Sequence, residues 1–116
     1  PFRDYGTFSL REITVGGKQM RVRATPLALL YYRQEFKTDL IGDLISMQEM
    51  ASDPSRFDSI KMLQLIWAMN KADKPEGFPS FEAWLADMES FDFADNDIMT
   101  AVIEEATDGF FRGGRK

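Results

Sequence analysis

The sequence contains no cysteine and no histidine. Without cysteine there is no disulfide framework, thiolate zinc site or thiol nucleophile, a composition compatible with a reducing cytoplasm. Without histidine the commonest general base and transition-metal ligand are missing too, leaving carboxylates, lysine, tyrosine and hydroxyls for any chemistry. The expectation is that the chain is not an enzyme and has no catalytic, cofactor-binding or metal-binding residues. Long apolar runs are also lacking: none approaches the roughly 18 residues that would span a bilayer. The opening PFRDYGTFSLRE has no apolar h-region behind a basic stretch, so it does not resemble a secretory signal, and its Pro1 points to a native start elsewhere.

Positive charge is absent from one whole region. Between Lys74 and Arg112 there are ten acidic residues and no basic ones, namely Glu76, Glu82, Asp87, Glu89, Asp92, Asp95, Asp97, Glu104, Glu105 and Asp108. From Pro1 to Lys37 the balance reverses, with seven basic residues (Arg3, Arg11, Lys18, Arg21, Arg23, Arg33, Lys37) against three acidic ones (Asp4, Glu12, Glu35). The acidic half repels nucleic acid. The asymmetry fits either ordinary solvated faces or a dipolar module that docks a basic partner or a copy of itself head to tail.

At 116 residues, with 44% hydrophobic and 28% charged positions, the chain reads as a single domain, residues 1–116, able to bury a core without metal or disulfide. The predicted class is α+β, mostly α: an N-terminal β-hairpin followed by about five helices in one compact domain. Thr7 to Val15 alternates loosely, Gly16-Gly17 is a turn signal, and Gln19 to Ala24 resumes with Met20 and Val22, giving a hairpin over 7–24. A helical body over 26–108 and a flexible tail over 109–116 complete the expected division. Thr25-Pro26 reads as an N-cap followed by proline at the first helical position. Further helix starts appear at Thr38-Asp39 and at Ser52-Asp53-Pro54, the latter ahead of a run ending near Ala72 and broken by Pro75, Gly77 and Pro79. Ser80 is placed to cap a short helix with Phe81, Trp84, Leu85 and Met88 on one stripe. Asp95 or Asn96 is placed to cap a last one carrying Ile98, Met99, Val102, Ile103 and Ala106, which should stop at Gly109.

The stretch TPLALLYYRQEFKTDL places seven apolar or aromatic side chains within positions 27–36. At 100° per residue Leu29, Tyr32 and Phe36 share one face and Leu27 and Tyr31 the opposite one, so this helix is expected to be a central layer covered twice. Met62 to Met69 is apolar except for Gln64, making the two helices expected core neighbours and Trp67 a buried residue. Tyr31 and Tyr32 read as core edges rather than a ligand-stacking pair. Arg33 with Lys37, and Glu35 with Asp39, are like-charge i, i+4 pairs that need partners elsewhere.

Three local patterns fall short of a site. Asp92 to Asp97 lacks the alternating oxygen ligands and the glycine of a calcium loop. VGGKQMR opens a strand, whereas a phosphate loop opens a helix. FFRGGRK carries one Arg-Gly element on a net acidic chain, too little for an RNA-binding tail.

From about Arg21 to Ile103 the chain is similar to the small tail assembly chaperones of long-tailed bacteriophages and prophages of Gram-positive bacteria. The resemblance rests on the order of three blocks: Y-R-x-x-F with Asp-Leu at Tyr32 to Leu40, W-A-M-x-K-A at Trp67 to Ala72, and F-x-x-W-L at Phe81 to Leu85. Two departures stand out. Lys37 occupies a position that is often glycine in that family, and Gly109-Phe110-Phe111 trails into Arg-Gly where the family tends to end in an aromatic-rich helix. The resemblance implies a non-enzymatic protein of the host cytoplasm, absent from the mature virion, that keeps the tape measure protein soluble and helps recruit tail tube subunits. It implies no contact residues, because its motifs look like core positions. Such work asks for reusable apolar surface, and Met47, Met50, Met62 and Met69 are either adaptable contacts or gap fillers. A small regulatory adaptor and a minor virion structural protein share the same expected body. A hydrolytic enzyme would need a carboxylate pair that no local spacing announces.

Overall fold

The computed structural model describes residues 11–15, 17–50, 55, 58–88, 90–92 and 95–111. Arg11–Val15 (β1) and Lys18–Val22 (β2) pair antiparallel, with Arg11 opposite Val22 and Val15 opposite Lys18. That register leaves two residues for the turn, and Gly17 takes φ 81°, where its missing Cβ avoids strain. Alternation turns Ile13 and Val15 inward and Glu12 and Thr14 out to solvent. The second strand ends at Val22 rather than Ala24. Its continuation is diverted, since the Arg23 N–H donates to the Met69 carbonyl at 3.0 Å and ties the hairpin to a helix instead. Thr7 to Leu10, the first part of the expected opening strand, lie outside the described residues.

Helix α1 spans Pro26–Phe36 and begins where expected, but the Thr25 side chain does not cap it. Thr25 Oγ1 is buried without a hydrogen-bond partner among the described residues, so only its carbonyl serves the helix, accepting from Ala28 N–H at 2.9 Å. Proline at the first position leaves one fewer orphan donor to satisfy. Leu40–Met50 forms α2, opened by the Asp39 carboxylate accepting from Gly42 N–H at 3.0 Å. Helix α3, Ser59–Asp73, starts later than expected. Its cap is Asp58, which accepts from the Ile60 and Lys61 amides at 3.1 Å each, whereas Ser52 to Pro54 lie outside the described residues. Ser80 caps α4, Phe81–Ala86, through Ala83 N–H as expected. Asp95 opens α5, Asn96–Phe111, by accepting from Asp97 and Ile98 N–H at 2.9 and 3.2 Å.

The expected stop at Gly109 is not there. Helix α5 runs through it to Phe111, so 109–111 belong to the helical body rather than to a tail, and 112–116 lie outside the described residues. Gly109 serves a different purpose. A Cβ at that position would fall 2.2 Å from the Ala24 carbonyl oxygen and 2.3 Å from its Cβ, so glycine is required for α5 to approach the chain entering α1.

Helix α3 is the centre of the fold. It buries Met62, Leu63, Leu65, Ile66, Trp67, Ala68, Met69 and Ala72, a set that covers most of its circumference, and packs against α1, α2, α4 and β2. Helix α5 packs on β1, so the hairpin is held between α3 and α5. The neighbour relation of α1 and α3 is as expected, but α1 is not a doubly covered layer. It buries only Ala28 and Tyr32, while Leu27 and Leu30 remain 44% and 48% exposed, because no described element packs over that side. Among the described residues no helix is long and apolar enough to cross a membrane.

Candidate functional site

The three motif blocks converge on one aromatic cluster. Phe36 stands edge-on to Tyr32, Trp67 and Phe81, with ring centroids 4.9, 5.4 and 5.0 Å away, and Phe81 stacks on Trp84 at 6.1 Å. Edge-to-face rings set the negative face of one against the positive rim of the next, which adds to the gain from burial. Each indole N–H has an acceptor: Trp67 Nε1 donates to the Pro79 carbonyl at 3.2 Å and Trp84 Nε1 to Asn70 Oδ1 at 3.1 Å. Glu35, which needed a partner away from Asp39, accepts from Phe81 N–H at 3.2 Å. Packing and hydrogen bonding consume these aromatic side chains, which build the core.

Tyr32 lies deeper than a core edge, fully buried. Its hydroxyl donates to Asp43 Oδ2 at 2.8 Å and lies 3.2 Å from Gln64 Oε1. Burial, reinforced by the bond to the Asp43 carboxylate, pushes the phenol far above its ordinary value. Burial alone would raise the Asp43 carboxyl, but bonds from Tyr32, Thr38 (2.8 Å) and Lys61 (3.1 Å) outweigh it and hold that carboxyl below its usual range. The group is a satisfied polar brace between α1, α2 and α3. Tyr31 is half-buried and lies under Lys71 Nζ, 4.6 Å from its ring centroid.

The lengthwise charge asymmetry is partly neutralised in three dimensions. Arg11 reaches Asp108 at 2.7 Å and Glu105 at 3.6 Å, and Glu105, only 1% exposed, also accepts the Ala24 N–H at 2.9 Å. Lys18 pairs with Asp87, and Asp73 gathers Arg23 at 3.1 Å and Arg21 at 3.6 Å. The hairpin cations thus meet carboxylates contributed by α3, α4's end and α5. Glu76, Glu82, Asp97 and Glu104 stay exposed.

Of the methionines weighed as adaptable contacts, Met62 and Met69 are buried in the core and Met47 is half-buried against it. The exposed large apolar side chains among the described residues are Leu27, Leu30, Ile45, Ile60 and Phe111. Leu27 and Leu30, one turn apart on α1, combine with Pro26, Thr25, Ala72 and the Arg23 stem to line a shallow groove of about 490 Å³. A second cleft, about 540 Å³, separates β2 from the α3–α4 connection and has a mixed lining that includes Arg21, Asp73, Phe78 and Trp84. Some of its charged groups are engaged, Asp73 with two arginines and Lys18 with Asp87, whereas Glu12, Lys74 and Glu76, which also line it, form no ion pair with a described residue. The groove on α1 is the more apolar of the two. Sequence reasoning missed it, because an exposed leucine and a buried one give the same helical periodicity. Among the described residues no group of three or more acidic, histidine or cysteine side chains could hold a metal ion. No family model, curated protein or solved structure matches the chain.

Proposed function

We propose that this chain is a non-enzymatic phage tail assembly chaperone that binds a helical, apolar segment of the tape measure protein, keeps it soluble and helps recruit tail tube subunits. The observation that carries this reading is the Leu27–Leu30 groove, an apolar stripe that no described element covers; the other exposed large apolar side chains among the described residues, Ile45, Ile60 and Phe111, do not line it. An amphipathic helix laid in such a groove gains its free energy from apolar burial. Burying one leucine side chain contributes on the order of 2 kcal/mol, so two leucines with their counterparts make a reversible contact rather than a permanent one. Reversibility suits a protein that leaves before the tail is complete. The order of the three motif blocks along the chain supports the same assignment.

The test is co-expression. Fragments of the tape measure protein that aggregate alone should move into the soluble fraction with this chain, and should return to the pellet when Leu27 and Leu30 are both replaced by glutamine. A tail tube gene and a very long helical gene beside the coding sequence would agree with the reading. Recovery of the chain at stoichiometric amounts in purified virions would count for a structural subunit instead.

A further inference from the structure

The cleft beside β2 follows that strand's outer edge. Lys18, Gln19, Met20 and Arg21 all line it. Successive strand residues face opposite sides, so a cleft that touches all four runs along the edge rather than over one face. On its other edge β2 pairs with β1. The two-residue turn makes Val15 and Lys18 a hydrogen-bonded pair, and the register then makes bonded pairs of Ile13 with Met20 and Arg11 with Val22. The backbone groups of Gln19 and Arg21 therefore point away from β1, and two contacts agree with that alternation. The Arg21 carbonyl accepts from Asn70 Nδ2 at 2.9 Å, and the Arg23 N–H, two residues on, donates to the Met69 carbonyl at 3.0 Å. The end of α3 occupies the edge at these two groups and reaches no further along it. The Gln19 N–H and carbonyl and the Arg21 N–H have no hydrogen-bond partner among the described residues.

We propose that this cleft takes an extended peptide segment, which pairs through its backbone with Gln19 and Arg21 and so adds a third strand beside β2. The occupant is specified by main-chain chemistry: two donors and one acceptor at strand spacing are answered by an extended chain. A helix cannot answer them, because its own backbone groups are bonded internally. About four extended residues, rising about 3.3 Å each, run the length of Lys18–Arg21. Across the cleft Phe78, Pro79 and Met88 offer apolar contact to the side chains of the added strand. Charged side chains commonly protect a bare edge from pairing, but here Lys18 is neutralised by Asp87 and Arg21 by Asp73. A second copy of this chain is a poorer occupant: its β2 is set behind the same wall, so the two walls meet before the two edges do. The cleft shares no lining residue with the α1 groove, and the proposal stands apart from the chaperone reading.

The test is NMR on the full, isotope-labelled chain, with an end-capped peptide of about six alternating valine and threonine residues, a strand-forming composition. In the free protein the Gln19 and Arg21 amides should exchange with solvent much faster than the Met20 amide, which is bonded to β1. Equal protection of Gln19 and Met20 overturns the proposal. Peptide at about ten times its dissociation constant should shift the Gln19 and Arg21 amide resonances and slow their exchange about tenfold. No shift at millimolar peptide overturns it. Two further peptides carry N-methyl groups on the valine amides or on the threonine amides. Alternate amides of a strand point to opposite edges, so one of these should fail and the other should bind as the parent peptide does. Both binding, or both failing, overturns the proposal, and this comparison leaves the protein unaltered. Gln19→Pro removes an outward N–H without touching a bond to β1 and should lose the binding, with the Met20 amide still protected. Gln19→Thr keeps both backbone groups and should bind like the parent chain. Binding that survives the proline variant, or is lost in the threonine variant, overturns the backbone pairing. A dimer in sedimentation that Gln19→Pro dissolves would make a second copy the occupant and overturn the proposal too.

Discussion

Gly109 on α5 and Ala24 at the entry to α1 are in backbone contact, close enough that a single added methyl group would sit 2.2 Å from the Ala24 carbonyl oxygen. Two opposing effects meet in Gly109→Ala. Alanine gains about 1 kcal/mol of helix propensity, but the obstructing atoms are the Ala24 carbonyl and Cβ, which cannot swing aside, so α5 must move and disturb the Glu105 bond to Ala24 N–H. The clash should dominate, with a net loss of about 2 kcal/mol in urea unfolding. A variant as stable as the parent would show that α5 does not seat this tightly.

Trp67→Ala should cost about 3–5 kcal/mol, because the indole is 1% exposed and packs against Phe36, Phe78 and Phe81. A loss below about 1 kcal/mol, the scale of surface substitutions, would contradict the central position of α3.

The Tyr32 brace makes a pH-dependent prediction. The Asp43 carboxyl titrates lower in the folded chain than its unfolded value of about 3.8, so its hydrogen bonds contribute stability above that pH and lose it as pH falls through the folded value. Tyr32→Phe removes one of those donors and should cost about 1–2 kcal/mol near neutrality. The deficit should shrink as pH falls through the folded value of that carboxyl, which becomes protonated in both proteins. A deficit constant with pH would mean that the Tyr32 hydroxyl does not stabilise the carboxylate.

Lys37 ends α1 in the left-handed conformation, φ 66° and ψ 18°, with its N–H bonded to the Arg33 carbonyl at 2.9 Å. The helix therefore keeps a left-handed cap although glycine is missing. Lysine is strained there, and its Nζ contact with the Gln34 carbonyl is exposed and weak compensation. Lys37→Gly should stabilise the chain by about 0.5–1 kcal/mol, read as a higher denaturation midpoint at unchanged slope.

Local signals were legible and distant ones were not. Pro26, Ser80 and Asp95 mark helix starts through the backbone groups beside them, which is why those boundaries match the sequence reading. Asp58 escaped notice because Ser52-Asp53-Pro54 offers the same chemistry earlier in the chain. Gly109 looked like a helix stop, since its partner Ala24 is 85 positions away and no local pattern reveals it. The partner of Glu105 and Asp108 was hidden for the same reason, their counter-charge Arg11 being set opposite them only by the docking of α5 on β1. The groove was hidden in a subtler way: Leu27 and Leu30 obey the helical period, and only the absence of a described element over them distinguishes exposed from buried.

The central claim, that this chain carries tape measure segments in its α1 groove, is tested most directly by pull-down of tape measure fragments with the intact chain and with the Leu27→Gln, Leu30→Gln variant. The account predicts that the parent enriches one or more helical fragments over an unrelated acidic protein of similar size. It predicts that the variant, with an unchanged circular dichroism spectrum, enriches none. Absence of enrichment by the folded parent would contradict the account and leave a regulatory adaptor as the better assignment.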